Sequence, residues 1–229
     1  MARREESDVA GALVIVAGGF AALLFSVPTV GLLREQLRIN CNTYPPGSEG
    51  EGAWTCADGI SYIIPGVILL AMTGLSLIVG LVVALIARRE LVARGGFTVL
   101  AVLPVVWTLA WTRYGSDELV SFPSGVPRID FWMIWVGPAA LTATIALAIA
   151  VVALAFRRRV AFWLTASAAA GVGIATVVQP GLGLATLPSA ALLCAALLRL
   201  KRPARAGFTG DPGFSGADGP RRSGERGIS

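Results

Sequence analysis

Two kinds of side chain in this sequence have chemical potential. Asp58, Asp117, Glu118 and Asp130 are carboxylates close to the ends of apolar stretches. Two of them brought within about 5–10 Å of each other could divide the work of general acid and general base. Cys41 and Cys56 stand 15 residues apart in one polar segment, and two cysteines in one extracytoplasmic loop pair as a disulfide. The chain contains no His, which removes Ser-His and Cys-His nucleophilic pairs, His-ligated haem and His-based zinc sites. No C-x-x-C pair points to redox exchange, and no G-x-x-x-x-G-K-[ST] loop to nucleotide phosphates. The sequence therefore implies no cofactor and no bound metal, and it weighs against an enzyme.

The elements that must position these groups are apolar. Of 229 residues, 55% are hydrophobic and 14% charged, with a mean hydropathy of +0.72; a soluble domain is nearer a quarter charged. A bilayer core needs roughly 20 apolar residues per helix. Six stretches approach or exceed that: Val9–Leu33, Ile60–Ala87, Phe97–Thr112, Phe131–Phe156, Val160–Val178 and Gly181–Leu198, none with an Asp, Glu, Lys or Arg. The first is read as a retained helix, because it is far longer than the 7–15 residues of a cleavable leader core.

Charge gives the orientation. With six spans, one side holds residues 1–8, 88–96, 157–159 and 199–229, with fifteen of the nineteen basic residues; the other holds only Arg34, Arg38, Arg113 and Arg128. Basic loops stay cytoplasmic, so both termini are expected there. The same sorting defends the short third span, without which Arg157–Arg159 would change sides. It also gives the net charge of +5 a topological meaning and argues against nucleic acid as a partner. Trp107, Trp111, Trp132 and Trp135 sit at the expected interface as lipid anchors; Trp107 and Trp111 share a helix face, the alternative being a stacking site.

The expected fold is thus all-α: a polytopic integral membrane protein of the plasma membrane, multi-pass, with six transmembrane helices and cytoplasmic N and C termini. The strong Arg bias, with abundant Ala, Gly and Val, suggests a bacterial source. Residues 1–8 form a cytoplasmic N-terminus. Residues 9–202 form the membrane domain, with a disulfide-stapled extracytoplasmic loop at 34–59. Residues 203–229, rich in Gly and Pro and containing Phe208 and Phe214 in a short repeat, form a disordered cytoplasmic tail. Pro28, Pro65, Pro104, Pro138 and Pro188 are read as ordinary kinks. Gly18 with Ala22, Ser76 with Gly80, Ser167 with Gly171 and Ala169 with Gly173 are small residues at the spacing that lets helices approach closely. Their density in the fifth span places it at the bundle centre, and Cys194 is an inert buried thiol.

Specific recognition is expected at the stapled loop. It carries Glu49, Glu51 and Asp58, no basic residue between the cysteines, and the aromatics Tyr44 and Trp54, a surface suited to a basic partner. Arg199, Lys201, Arg202 and Arg205 stand where the chain leaves the membrane and are expected to contact anionic lipid headgroups, at about 1 kcal/mol each. The partners implied are the lipid bilayer and another membrane or extracytoplasmic protein. The leading expectation is a non-catalytic accessory or scaffold subunit presenting this loop. Two others stay open: a carrier or channel for a neutral or lipidic molecule, with a cavity lined by Thr73, Ser76, Thr142, Thr144 or Thr165, and a lipid-modifying enzyme using the interfacial carboxylates.

Overall fold

A computed structural model describes residues 2–44, 47–87, 89–122 and 129–200, with the side chains of 2–8 left aside. The described chain is mostly helical. Its order is α1 (Ala2–Leu24), α2 (Ser26–Gly31), a π-helical turn (Leu32–Gln36), β1 (Cys41–Thr43), β2 (Trp54–Cys56), a 3-10 turn (Gly59–Tyr62), α3 (Ile63–Ile86), α4 (Glu90–Glu118), β3 (Val120–Ser121), α5 (Phe131–Trp135), α6 (Gly137–Ala153), α7 (Arg158–Val178), a 3-10 turn (Pro180–Leu182) and α8 (Gly183–Leu200). Four helical stretches are long and apolar enough to cross a membrane: those of α3, α4, α7 and α8. The bent pair α1–α2 makes a fifth if counted as one span, and α6, at 17 residues, is shorter.

Several expected elements take a different form, each for a local reason. The first stretch is broken at Phe25 and bent by 46°. Pro28 has no N–H for the Leu24 carbonyl and its ring crowds that turn. Helix then continues through Arg34 and Glu35 to Gln36, so the polar segment expected from residue 34 starts later. The third stretch extends at both ends, to Glu90 and Glu118, and so takes Arg94 and Arg113 into the helix. The fourth is interrupted at Val136 because Pro138 cannot donate to Ile134; Val136 donates to Trp132 and Ala140 to Val136 (both 2.8 Å), carrying the ladder across. The fold is also not purely helical: β2, β1 and β3 form a three-stranded sheet in that order.

The bundle has two distinct ends. At one, arginines cap helix C-termini: Arg199 donates to the carbonyls of Ala84 in α3 and of Ala87, its C-cap, Arg94 to Ala153 on α6 (3.2 Å), and Arg158 to Leu200 on α8 (2.7 Å). Arg158 also faces Glu90 at 3.8 Å. The final carbonyls of a helix have no partner within it, and hydrocarbon offers none. The opposite end carries the sheet.

α8 lies at the centre, meeting α1, α3, α4 and α7. This corrects the placement of the fifth span there: 72% of α8's apolar stretch is buried, against 33% of α7's. Of the small residues of α7, Gly171 approaches Ala146 of α6 closely. The other side of α7 exposes Trp163, Ile174 and Val177. α8 instead buries Leu184, Leu192 and Leu193 along with the hydroxyls of Thr186 and Ser189. Gly18 packs on Ala191 and Gly80 on Leu192, so two of the other small-residue pairs also serve α8; Gly173 faces open space. Polar bonds cross-link the same centre. Ser189 donates to Ala101 of α4 (2.7 Å), and Thr176 pairs with Thr186 (2.6 Å).

Candidate functional site

The end carrying the sheet gathers most of the residues singled out in the sequence. β1 and β2 pair antiparallel with Cys41 directly opposite Cys56 and Thr43 opposite Trp54. The disulfide joins the first of these pairs. β3, which follows α4, pairs in parallel with β1, Cys41 against Val120. The hairpin is therefore tied to the helix bundle as well as closed on itself. Further bonds seat it: Asn40 donates to Leu119 (3.0 Å), and the Tyr62 hydroxyl donates to the Ile39 carbonyl (2.7 Å). Ile39, Cys41 and Tyr62 are essentially inaccessible. To turn from the helix into β1 the chain passes through the left-handed region at Arg38 and Asn40, with φ of 55° and 57°. Asn tolerates this well. Arg38 thereby stacks its guanidinium on the Trp54 ring at 5.6 Å.

Trp54 is thus not the exposed aromatic expected of it. It is half-buried among Phe122 and Phe131, with ring centroids 5.6 and 5.7 Å away. Tyr44, Glu49, Glu51 and Asp58 do lie exposed on the cap. Glu51 accepts from the backbone N–H of Gly47 (3.0 Å), which shapes the hairpin tip.

Beside the cap, Arg113 collects two of the four interfacial carboxylates. It contacts Asp117 at 3.1 Å and Asp130 at 2.8 Å, and stacks over Trp132 at 5.5 Å. Trp132 in turn donates to the Thr112 hydroxyl (3.0 Å), and Asp130 caps α5 through the N–H of Met133 (3.0 Å). The hydrogen bond from Arg113, followed by that from Met133, holds the Asp130 carboxyl below the usual carboxylate range. An acid held ionised in this way is a poor proton donor at neutral pH. Asp58 and Glu118 are not part of this node. The pair that does converge is arranged as a latch between α4 and α5.

A second polar node was not legible beforehand. Gln179, 4% exposed, donates to the Gln36 side chain (2.7 Å) and to the Trp135 carbonyl (2.9 Å), and accepts from the Gly181 N–H. It joins the π-helical turn, α5 and the α7–α8 turn. Gln36 falls in the polar segment expected at 34–59, and nothing local in the sequence pairs it with Gln179, 143 residues away.

Other expected site residues separate. Arg199 is only 4% exposed and caps α3, which corrects its reading as a headgroup contact: the two α3 carbonyls occupy its guanidinium. Lys201, Arg202, Arg205, Phe208, Phe214 and the tail 203–229 lie outside the described residues. Trp107 and Trp111 make no ring contact with each other. Of the five expected pathway hydroxyls, Thr73 borders a cavity between α1 and α3; Thr142 bonds the Pro138 carbonyl (2.8 Å) and Thr144 is exposed. Cys194 is half-buried and unpaired.

Compared with known protein families, curated proteins and solved structures, the chain finds no match. Its functional reading rests on the arrangement above.

Proposed function

We propose that the chain is a non-catalytic protein of the plasma membrane, crossing it six times with both termini in the cytoplasm, and that it serves as an accessory or scaffold subunit presenting the stapled cap to a protein partner. The observation that carries this reading is the double anchorage of the cap. The disulfide closes the hairpin, and the β1–β3 pairing fastens it to the end of α4, so that Tyr44, Glu49, Glu51 and Asp58 are displayed on an ordered surface. A preordered acidic surface binds a basic partner without first losing the entropy of a floppy loop. The Arg113 latch supports the non-catalytic reading, since it engages Asp117 and Asp130 in an ion-pair network.

The orientation follows from charge. Arg94, Arg158 and Arg199 share the end opposite the cap, as expected if that end faces the cytoplasm. α5 and α6 together serve as the fourth span, with the short α6 extended by the interfacial aromatics of α5. Reporter fusions after Arg158 and within 47–52 test this directly: cytoplasmic activity is expected at the first site and external accessibility at the second. For the partner reading, full-length protein is solubilised mildly from native membranes. A stoichiometric partner should co-purify and be lost on E49K/E51K, whereas retention of that partner by the double variant would defeat the acidic-cap reading.

A further inference from the structure

The bend in the first span leaves a furrow on the side of the bundle. Two adjoining cavities of about 220 and 270 Å³ lie between α1–α2 and α3 and share Leu23 and Leu70. On α3, Ile63, Gly66, Leu70, Gly74 and Leu77 border them, a spacing that keeps one helix face. A Cβ on Gly66 or Gly74 would meet nothing within 4 Å, so these glycines deepen the furrow instead of serving helix contact. The lining is almost wholly apolar and the furrow is open along its side, so in a bilayer it meets hydrocarbon, and an apolar furrow does not hold water.

Its end near the cap is marked by charge. Leu33 and Tyr62 border the furrow there. Arg34, next to Leu33, is exposed and has no ion-pair partner among the described residues, and both Arg34 and Arg38 act electrostatically on Tyr62. Arg38 is engaged on Trp54, and Glu35 makes no ion pair with Arg34. Arg34 is thus an exposed cation, unpaired among the described residues, within electrostatic reach of Tyr62 on the furrow's wall.

We propose that the furrow binds one acyl chain of an anionic phospholipid whose phosphate faces Arg34. The site requires only that the helices lie in a bilayer and is independent of what the cap binds. It is tested with full-length protein in phosphatidylcholine vesicles doped with phosphatidylglycerol, or with phosphatidylcholine, carrying a photoreactive acyl chain. Cross-links should concentrate on residues 16–33 and 59–77, with the phosphatidylglycerol probe favoured about fivefold, the equivalent of ~1 kcal/mol for one Arg near an anionic headgroup. Gly66→Leu with Gly74→Leu should abolish the excess by filling open space, while Gly173→Leu, equally open but on α7, should leave it unchanged. Arg34→Gln should equalise the two probes without removing the cross-links. Labelling spread evenly over the lipid-facing sides of α3, α6 and α7, equal labelling by both probes in the unmodified protein, or a cross-link to another protein's helix in the furrow would each overturn the proposal. The comparison of the two probes remains decisive even if the double Gly variant fails to fold.

Discussion

Replacing both Cys41 and Cys56 with Ser should loosen the cap and spare the bundle. The disulfide closes a segment of 15 residues, and removing such a closure costs about 3 kcal/mol in the chain-entropy model. At ~1.4 kcal/mol per tenfold, that is a rise of about a hundredfold in the opening of whatever the bond alone holds shut. The remaining ties decide where this appears. β1 keeps its pairing with β3, the Asn40 bond to Leu119 and the Tyr62 bond to Ile39. β2 and the hairpin tip keep the pairing with β1, the packing of Trp54 on Phe122, Phe131 and Arg38, and the local turn bonds of Glu51 and Ala53. A Ser at 41 also has acceptors at hand, because the Cys41 sulfur lies 3.7 Å from the carbonyls of Arg34 and Ile39. Hydrogen exchange by mass spectrometry on detergent-solubilised protein should therefore show about hundredfold faster exchange in peptides from 44–56, little change at 39–42, and none in α8. Equal acceleration across 183–200 would mean that the staple supports the whole fold, and an unchanged 44–56 would mean that strand pairing alone suffices. Either result would refute the reasoning.

Three further outcomes are expected. Gly18→Leu should destabilise by about 1–3 kcal/mol through overpacking against Ala191, whereas Gly173→Leu should be nearly neutral; thermal unfolding in detergent separates them. Arg199→Leu should cost about 1–2 kcal/mol for each interhelical bond lost, and Arg199→Lys should recover it incompletely because an ammonium lacks the planar fork that reaches two carbonyls; exchange at residues 83–87 reads the fraying of α3. Acidification should weaken the α4–α5 latch. The folded carboxyl of Asp130 is held low, first by Arg113, so its contribution is present above the unfolded value and is lost as pH falls through the lower folded one. Trp132 fluorescence should accordingly change below roughly pH 4, and Asp130→Asn should flatten that change.

Much of the architecture was legible because hydropathy and charge are additive along the chain. A window of apolar residues predicts a buried or lipid-facing helix wherever it lies, and two cysteines in one polar segment find each other locally. The disulfide and the long apolar helices follow from that. The break at Phe25 was half legible: Pro28 was seen, but its effect depends on Thr29 sharing its hydroxyl between the Phe25 and Gly181 carbonyls (2.8 and 2.9 Å), the second of them 152 residues away. The bundle centre was misread because small residues report how closely a helix approaches one neighbour, not how many neighbours it has. Trp54 carried an unused signal. In a strand it shares a face with Cys56, two residues on, and Cys56 points at its partner, so the ring had to turn inward too.

The arginines show where the limits of such reading lie. Sorting by side treats each Arg as a charge that resists translocation, and it assigns Arg94, Arg158 and Arg199 to one end without saying what they do there. Their acceptors are 59, 42 and 112–115 residues distant, so no local pattern encodes the contact. Yet the two roles are physically joined. A guanidinium counted in that sorting also arrives where α3, α6 and α8 expose their last carbonyls, whose partial negative charge attracts it. In lipid those carbonyls have no other donor. The excess of Arg over Lys, which in the sequence alone suggests only a bacterial source, acquires at Arg199 and Arg158 a structural meaning. Each reaches two carbonyls with one planar group, and Arg158 does so while facing Glu90. The side chains on which the proposed orientation rests are then the ones that close the bundle. A mutation that removes one of them acts on both, and only a substitution that keeps the charge and changes the geometry can tell them apart.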